Sequence, residues 1–386
     1  MKLIAFYLPQ FHTFPENDEW WEKDFTEWTN VKRAMKRYSW QYQPRIPYKN
    51  NYYNLNDDFE ATMKWQIEIA KRGGVYGFCF YHYWFKNGKR LLEKPVERFL
   101  ENENLDINFC LSWANEPWTR TWDGKQHDIL MPQEYGDVDE WKDHFYYLLP
   151  FFKDGRYIKE KEKPILIIYK VDIIAQIDEM LNLWQELAVK EGMPGLYIVS
   201  QHSTYAISNK KNEHINAKIL YEPGYTQAEF SLVRNKDIFG AFVHDFKLCF
   251  QIEIQQIKKF IGKLFKLKNV RFNTMILDYD LFWKHILKRK YTNDMIPGAF
   301  VDWDNSPRRG AKGARIFKGA TPEKFRRYMT LLIRKVQNES PTDMILLIYI
   351  DAWNEWGEGT YLEPDEKFKY GYLDAVREAL QANMDK

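Results

Sequence analysis

Two glutamates three positions apart carry the strongest chemical signal in this sequence. Glu355 and Glu358 lie in DAWNEWGEGTYLEPD, residues 351–365, directly after an apolar run and among tryptophans and glycines. One turn of helix would bring both carboxylates onto one face, where each raises the proton affinity of the other. One carboxyl group then stays protonated while the other is ionised, as cleavage of a glycosidic bond requires. The alternative interpretation is a helix N-terminus whose acidic residues favour the helix dipole.

The elements that must position this pair are predicted from eight apolar segments with strong β-propensity. They span residues 3–8, 75–83, 107–113, 164–170, 196–201, 218–223, 298–304 and 344–353. Several of them are apolar throughout instead of alternating, which is typical of parallel strands covered on both faces. Helical patterns lie between them, at residues 59–74, 95–103, 174–192 and 321–337.

This alternation predicts an α/β fold, a single (β/α)8 TIM-like barrel over residues 1–386. Residues 9–55 and 113–150 are rich in aromatic side chains and are expected to form long loops on the barrel. Residues from about 365 to 386 are expected to form a closing C-terminal helix. A doubly wound open sheet is the structural alternative.

The active site of such a barrel lies at the C-terminal ends of its strands. Residues at these positions are polar or aromatic here, which suits sugar rings with their apolar C–H faces and rims of hydroxyl groups. We therefore expect a glycan substrate to be bound by His12, Trp28, His82, Tyr83, Trp84, Trp113, Asn115, Glu116, Trp118, His202, Glu222, Asp302, Trp303, Asn305, Asn354 and Trp356. Glu355 and Glu358 are the expected catalytic residues.

Glu116 is a second candidate for acid–base chemistry, as a partner of Glu355 across the cleft. The separation of the two carboxylates would be roughly 5 Å for a retaining mechanism and roughly 6.5–9.5 Å for an inverting one. A capping carboxylate before Pro117 is the alternative role of Glu116. Glu222, in YEPGY, has the same two interpretations.

Most of the remaining motifs give no indication of a metal or an organic cofactor. The histidines at positions 12, 82 and 202 follow three different strands and lack a short ligand spacing such as H-E-x-x-H. Phosphate-binding loops, dinucleotide fingerprints and Gly-x-Ser-x-Gly elbows are absent, so ATP use, hydride transfer and acyl hydrolysis are not expected. Two Asp-x-Asp strings, 278–280 and 302–304, resemble the pairs that hold a metal and a diphosphate in many sugar-nucleotide transferases.

Composition limits the partners and the compartment. The chain has 56 basic and 54 acidic residues, so no overall basic signature indicates a nucleic-acid partner. The segment KKFIGKLFKLK, residues 258–268, is interpreted as an amphipathic helix with solvated lysines. Three distant cysteines predict neither disulfides nor a zinc site. With no transmembrane segment and no signal peptide in the sequence, we expect a cytoplasmic protein; its oligomeric state is left open.

Several long motifs together resemble the WbsX family, which is labelled glycosyltransferase-like and found with bacterial surface-polysaccharide biosynthesis. The motifs are LPQFH, NDEWWEKDFTEWTNV, GFCFYHYWF, LSWANEPWTRTWDG, DWDNSPRR and DAWNEWGEGTYLEPD. That family in turn resembles glycoside hydrolase family 99, the endo-α-1,2-mannosidases and mannanases. Residues 354–359 match the Asn-Glu-Trp-x-Glu-Gly motif of these hydrolases, except that Gly357 stands where they usually carry a histidine.

The resemblance implies a retaining mechanism without an enzyme nucleophile. Glu355 would deprotonate the sugar 2-hydroxyl, which attacks the anomeric carbon to form a 1,2-anhydro sugar. Glu358 would protonate the leaving oxygen and later activate water. The resemblance implies no metal and no organic cofactor, and because of Gly357 it does not assign mannose as the sugar.

Three hypotheses follow for the function. The favoured one is a retaining, endo-acting glycoside hydrolase or transglycosylase acting on a bacterial cell-surface polysaccharide or oligosaccharide through Glu355 and Glu358. The second is a glycosyltransferase of O-antigen or capsule biosynthesis that uses an Asp-x-Asp pair. The third is a non-catalytic glycan-binding protein on a barrel scaffold.

Overall fold

A computed structural model of the chain describes residues 1–120, 125–203, 212–236, 238–265, 273–310, 313–339 and 346–384. The end of the predicted amphipathic segment, residues 266–268, and the start of the last predicted strand, residues 344–345, lie outside this range. Among the helices in the described ranges, none combines the length and the apolar character needed to cross a membrane.

Parallel strands form a barrel around a central core. They are β1 Lys2–Tyr7, β2 Gly77–Trp84, β3 Asn108–Trp113, β4 Lys163–Ile168, β5 Tyr197–His202, β6 Ile215–Leu220, β7 in the two pieces Met295–Ile296 and Gly298–Phe300, and β8 Leu347–Asp351. Neighbours in this order are hydrogen-bonded, and β8 pairs with β1. The first piece of β7 pairs with β6 and the second with β8, so this segment closes the circle across Pro297. The predicted TIM-like barrel is therefore confirmed.

Two strands start three residues earlier than predicted. The sequence pattern placed β6 at 218–223 and β7 at 298–304, but their first residues are Ile215 and Met295. The ladder of β6 stops at Leu220, before Pro223, which has no N–H to donate to a sheet. The apolar residues just beyond each strand consequently belong to the rim of the barrel, where a site is built.

Helices cover the outside of the barrel. The longer ones are Phe59–Arg72, Lys94–Glu101, Val138–Lys153, Ile177–Lys190, Gly224–Lys236, Ile238–Leu264, Tyr279–Lys288, Pro322–Glu339 and Gly371–Gln381. Shorter ones are Pro15–Trp20, Glu27–Arg33 and Ser306–Arg309. The last long helix packs on Pro322–Glu339, with the rings of Phe325 and Tyr372 5.8 Å apart.

The expectation that residues 113–150 form a loop is wrong for their second half. Val138–Lys153 is a helix, capped by the Asp137 side chain, which accepts hydrogen bonds from two backbone N–H groups. Its residues Trp141, Phe145 and Leu148 follow a helical spacing and are buried. The aromatic content of this segment thus reflects a helix packed on the barrel.

Short strand pairs extend the barrel at its rim. Met275–Asp278 pairs with Arg315–Lys318 in parallel, Trp118–Arg120 with Lys125–Met131 in an antiparallel hairpin, and Asn354–Glu355 with Thr360–Tyr361. Arg90–Leu91 pairs with β2 and Lys159–Glu160 pairs with β4, each as a two-residue antiparallel strand. The pair 354–355/360–361 directly follows β8 and holds the first of the two glutamates.

The barrel interior is filled by aromatic side chains. Phe6 packs against Tyr81, Tyr221 and Tyr349, with ring centroids 5.1–5.5 Å apart. Because side chains alternate along a strand, the inward position of Tyr81 in β2 makes Tyr83 inward as well. The neighbouring residues His82 and Trp84 point outward, toward the helices.

Candidate active site

A tight turn after β8 places the two glutamates. Glu355 ends the short strand Asn354–Glu355, and a single 3-10 turn, Trp356–Glu358, follows it. Gly359 then adopts φ +68°, a left-handed conformation that glycine tolerates without steric cost. The predicted helical turn is thus a 3-10 turn flanked by a hairpin, and it brings both carboxylates to the same side.

One arginine holds both glutamates. Arg308, from the helix Ser306–Arg309, donates from Nη2 to Glu355 Oε2 at 2.7 Å and lies 3.1 Å from Glu358 Oε1 through Nη1. Its Nε donates to Oε1 of Glu27 at 2.8 Å. Glu27 begins the helix Glu27–Arg33 and is fully buried. Three carboxyl groups therefore share one guanidinium, whose rigid set of donors fixes their relative positions.

The absence of a side chain at Gly357 makes this arrangement possible. A Cβ at this position would lie 1.6 Å from Glu27 Oε1 and 2.8 Å from Arg308 Nε. Real Cβ atoms do not approach other atoms so closely, so the ion pair occupies the space that any larger residue would need. The glycine at this point of the sequence is explained by the buried carboxylate beside it.

Burial and charge adjust the proton affinity of Glu355. Burial of the side chain is the largest influence and raises its pKa from the ordinary 4.5 to about 7. Arg308 opposes the increase, whereas Glu358 and Glu27 add to it because like charges disfavour ionisation. A carboxyl group with a pKa near neutrality is half ionised at physiological pH, which suits a general base or acid.

A further acidic group, besides Glu27, lies beside the pair. Asp351, the last residue of β8, accepts a hydrogen bond at Oδ1 from Tyr221 at 2.6 Å, and Tyr81 donates to Tyr221 at 3.3 Å. Asp351 Oδ2 is buried with no hydrogen-bond partner among the described residues. Burial, followed by the charges of Glu355 and Glu358, raises the pKa of Asp351 well above its usual range. Burial therefore favours the protonated form of Asp351 more strongly than solvent would.

Tyr83, Glu116 and Trp118 are the predicted binding residues that share this side of the barrel with the glutamates. Burial chiefly raises the pKa of Tyr83, and the charge of Glu355 adds to the effect. The rings of Tyr83 and Trp118 meet edge to face at 5.2 Å. Glu116 is half exposed and forms an ion pair with Lys170. These side chains give the carboxylate cluster an aromatic wall and a charged rim.

His82, Trp84 and Trp113 are placed elsewhere, on the outer face of the barrel. His82 Nε2 lies 2.8 Å from His144 Nε2, and the His144 ring stacks on Trp84 with centroids 4.5 Å apart. Trp113 meets His144 edge to face at 4.6 Å. Burial lowers the pKa of His82 to about 3, so the histidine pair is neutral. This cluster packs the Val138–Lys153 helix onto the barrel and does not face the carboxylates.

Four further predicted residues make structural hydrogen bonds around the first strand and the glutamate turn. His12 bonds the Pro9 carbonyl at 2.9 Å, and Trp28 donates to the Tyr53 carbonyl at 2.8 Å. Asn354 bonds both backbone groups of Leu8 at 2.8 and 3.0 Å, and Trp356 donates to Glu363 at 2.6 Å. All four side chains are buried. These hydrogen bonds fix the turn and the loop that follows β1 within the fold.

Asn115, His202 and Glu222 likewise bond to the protein itself. Asn115 exchanges hydrogen bonds with the backbone of Lys170, and His202 bonds the Ser200 hydroxyl at 3.1 Å. Glu222 is fully buried and accepts from Arg289 at 2.8 Å. Each stabilises a segment that follows a strand, a role compatible with its position at a strand end.

The Asp-x-Asp residues are occupied by protein contacts. Asp302 forms a 2.8 Å ion pair with Arg45, and Asp304 accepts from Gln41 and Gln43. Asp278 caps the helix Tyr279–Lys288, and Asp280 pairs with Lys324 at 2.6 Å. Within the described ranges, no cluster of three or more His, Cys, Asp or Glu side chains could hold a metal ion.

Trp303 and Asn305 belong to the same loop, and neither side chain is hydrogen-bonded to the glutamates. Trp303 is buried, and Asn305 accepts from the backbone N–H of Arg315 at 2.7 Å. The backbone N–H of Asp304 donates to the Glu358 carbonyl at 2.7 Å. The segment 302–305 therefore ties the glutamate turn to the N-terminal loop and sets the place of Arg308.

Five residues of the cluster were not singled out from the sequence, namely Glu27, Tyr81, Tyr221, Arg308 and Asp351. All but Tyr221 lie in stretches that carry the family resemblance, FTEWTN, FCFYHYW, NSPRR and DAWNEW. A closer reading of alternation in β2 would have favoured Tyr81 together with Tyr83. No local pattern indicates that Glu27 and Arg308 meet.

Comparison with known proteins agrees with this architecture. Two proteins named WxcX, from Xanthomonas campestris pv. campestris strains ATCC 33913 and B100, are 30% identical to the chain over 385 and 382 residues. Each match covers 98% of this chain and 49% of the relative, so the chain spans about half the length of these curated relatives.

Solved structures with the same fold include two glycoside-hydrolase neighbours. A glycoside hydrolase-like protein aligns with TM-score 0.56 at 13% identity, covering 98% of this chain and 93% of the other. A GH99 endo-α-mannosidase from Bacteroides thetaiotaomicron aligns with TM-score 0.51 at 12% identity, covering 99% and 96%. At this identity the likeness concerns the fold. The sequence profile described as glycosyltransferase WbsX matches residues 3–376, and the chain therefore belongs to the WbsX family.

Proposed function

We propose that the protein is a carbohydrate-active enzyme, a retaining glycoside hydrolase or transglycosylase acting on a bacterial surface glycan, with Glu355 as base and Glu358 as acid. The observation that carries the proposal is the pair of carboxylates held by Arg308 at the C-terminal end of β8, with the pKa of Glu355 raised to about 7. Catalytic groups of TIM barrels lie at this end of the strands.

The proposed reaction runs in two steps with balanced proton transfers. In the first, Glu355 takes the proton of the sugar 2-hydroxyl, O2 attacks C1, the glycosidic C1–O bond breaks, and Glu358 protonates the leaving oxygen. In the second, Glu358 takes a proton from water or an acceptor hydroxyl, whose oxygen attacks C1. The C1–O2 bond of the anhydro sugar breaks and O2 recovers its proton from Glu355. Transfer replaces hydrolysis where water is excluded.

The environments of the two glutamates support this division of roles. Glu355 is buried and its pKa of about 7 gives it strength as a base toward a weakly acidic hydroxyl group. Glu358 is the more exposed of the two, with 22% of its side chain accessible, as a group that meets both a leaving sugar and an incoming acceptor must be. Arg308 stabilises whichever carboxyl group is ionised.

A glycosyltransferase that uses an activated sugar is the second candidate, favoured by the description of the family to which the chain belongs. The Asp-x-Asp residues give it little support, since Asp302 is neutralised by Arg45 and Asp280 by Lys324. Such a transferase would have to use the Glu355–Glu358 pair without a metal at these aspartates.

The decisive experiment combines a panel of bacterial surface oligosaccharides with isotope and anomer analysis. New reducing ends are detected by mass spectrometry in H2¹⁸O, and their initial anomeric configuration is followed by NMR. We expect retention, ¹⁸O incorporation for hydrolysis, and no turnover of the matching 2-deoxy substrate, since the mechanism needs the 2-hydroxyl. Retentive cleavage of the 2-deoxy substrate would refute the anhydro-sugar route.

Matched variants assign the roles. Glu355→Gln and Glu358→Gln are each expected to lower turnover by about 10²–10⁴-fold. Glu363→Gln is the control, because Glu363 is also a buried carboxyl group with a pKa of about 7 but bonds Trp356, Gln66 and Tyr53 away from Arg308. Full activity of either catalytic variant would exclude the proposal, and turnover only with nucleotide sugars would establish the second candidate.

A further inference from the structure

The long helix Ile238–Leu264 carries a continuous exposed apolar stripe. Its members are Phe246, Phe250, Ile254, Ile257, Ile261 and Leu264, between 38% and 62% exposed. They follow the spacing 4-4-3-4-3, so they fall within about 80° of one another around the helix axis and extend over about 27 Å. Single exposed apolar residues are ordinary, but a row of large ones on one face marks an interaction surface.

The opposite face of this helix is the one that packs on the protein. Leu248 and Ile252 are buried, and the side chains of Gln251 and Gln255 accept hydrogen bonds from the backbone N–H groups of Asp278 and Ile276. The stripe therefore lies on the helix face that points away from the core. It forms a convex ridge, directed away from the barrel.

The charge of the surrounding segment indicates which kind of partner binds the stripe. The sequence from 246 to 268 contains six lysines and one glutamate, whereas the whole chain has a net charge of only +2. Lys247 and Lys258 lie at the edge of the stripe around the helix axis, and Lys247 is exposed. A second copy of the chain would bring a segment of the same positive charge against it, which is unfavourable. Aromatic and aliphatic residues bordered by lysines are typical of helices that lie in the interface of an anionic membrane.

We propose that the stripe binds the protein to the surface of anionic lipid membranes, with the helix lying in the plane of the interface. The apolar side chains would enter the boundary between headgroups and acyl chains, and the lysines would contact lipid phosphates. The charged residues of the helix, among them Lys247, Glu253 and Lys258, keep it in that plane and out of the hydrocarbon core. This inference goes beyond the proposed reaction and does not depend on it.

Co-sedimentation with vesicles tests the proposal on the full chain. We use phosphatidylcholine vesicles with and without 50% phosphatidylglycerol, at low and high salt. The apolar variant is Phe250→Ser/Ile257→Ser/Leu264→Ser and the charge variant is Lys247→Glu/Lys258→Glu. The matched control replaces three exposed apolar residues elsewhere, Met35→Ser/Ile173→Ser/Val189→Ser. Circular dichroism and thermal unfolding verify that every variant folds.

The expected result is binding to phosphatidylglycerol vesicles that weakens with salt. The apolar variant should lose at least about tenfold in vesicle affinity, because three large apolar side chains no longer enter the interface. The charge variant should lose its preference for the anionic lipid, and the control should bind like the wild type. Failure of the wild type to bind, or an equal loss in the control, overturns the proposal. So does light scattering that shows a dimer abolished by the apolar variant.

Discussion

Replacing Glu355 by glutamine is expected to change the pH dependence of stability in a way that needs no substrate. Burial raises the pKa of this group from 4.5 to about 7 in the folded protein. Its stabilising effect is therefore complete below about pH 4.5, where the group is protonated in both states, and is lost as the pH rises through 7. A glutamine keeps the shape of the protonated carboxyl group and cannot ionise.

The magnitude follows from the two pKa values. Between pH 5 and pH 8, a shift from 4.5 to about 7 removes about 2.5 kcal/mol from the free energy of unfolding of the wild type. The variant lacks this loss, so the difference between variant and wild type should change by about 2.5 kcal/mol in favour of the variant. With an unfolding entropy of about 2.1 cal/mol/K per residue, the corresponding change in relative Tm is about 3 °C for a chain of 386 residues.

Thermal unfolding at half-unit pH steps from 5 to 8 measures this difference directly. Each pH compares wild type with Glu355→Gln, so that other titrating groups cancel. Glu363→Gln serves as a second reference, since burial also raises the pKa of Glu363 to about 7 and its variant should show a similar trend while leaving turnover intact. A Tm difference for Glu355→Gln that stays constant across this range would refute the raised pKa and with it the assignment of Glu355 as a base near neutrality.

Further predictions concern the groups around the pair. Gly357→Ala should abolish turnover and lower Tm, because its Cβ would meet Glu27 Oε1 at 1.6 Å, whereas Gly155→Ala, with open space around it, should change neither in the same assays. Arg308→Lys keeps one positive charge but loses the forked donors of the guanidinium. The apparent pKa of the acidic limb of the pH–rate profile should therefore rise by about one unit. An unchanged apparent pKa would contradict the role of the guanidinium. Removal of divalent metal with EDTA should leave the turnover of the wild type unchanged. The turnover of Asp302→Asn should be equally insensitive to added metal. A dependence of turnover on Mg²⁺ or Mn²⁺ in kinetic assays would instead favour a metal-dependent transferase.

Local sequence patterns were sufficient to predict the barrel. Near-continuous apolar segments with helices between them predict parallel strands, and their order around the barrel follows from right-handed crossovers between neighbours. This reasoning did not predict the strand at residues 275–278 or the helix at residues 138–153. The first is a short rim strand that gains its stability from pairing with Arg315–Lys318, and the second is an aromatic helix within a segment that resembled a loop.

The surroundings of the candidate binding residues were harder to predict than the position of the two glutamates. Taking every polar or aromatic residue at a strand end selects both faces of the barrel, because successive side chains of a strand point in opposite directions. Tyr83 faces the glutamates, whereas His82 and Trp84 face a helix and form a neutral aromatic cluster with His144. A residue type that suits sugar binding also suits a buried hydrogen bond, as Asn354 illustrates by binding the backbone of β1.

The sequence by itself determined the barrel, the position of Glu355 and Glu358 after the eighth strand, and the family. These features depend on local hydrophobic periodicity and on residues adjacent in the chain. Only the tertiary structure decided which charges surround the pair, since Glu27 and Arg308 are 281 positions apart and meet at the space left by Gly357. It also decided that the stripe on Ile238–Leu264 faces outward. Contacts between distant segments depend on strand register and packing, which no local pattern encodes.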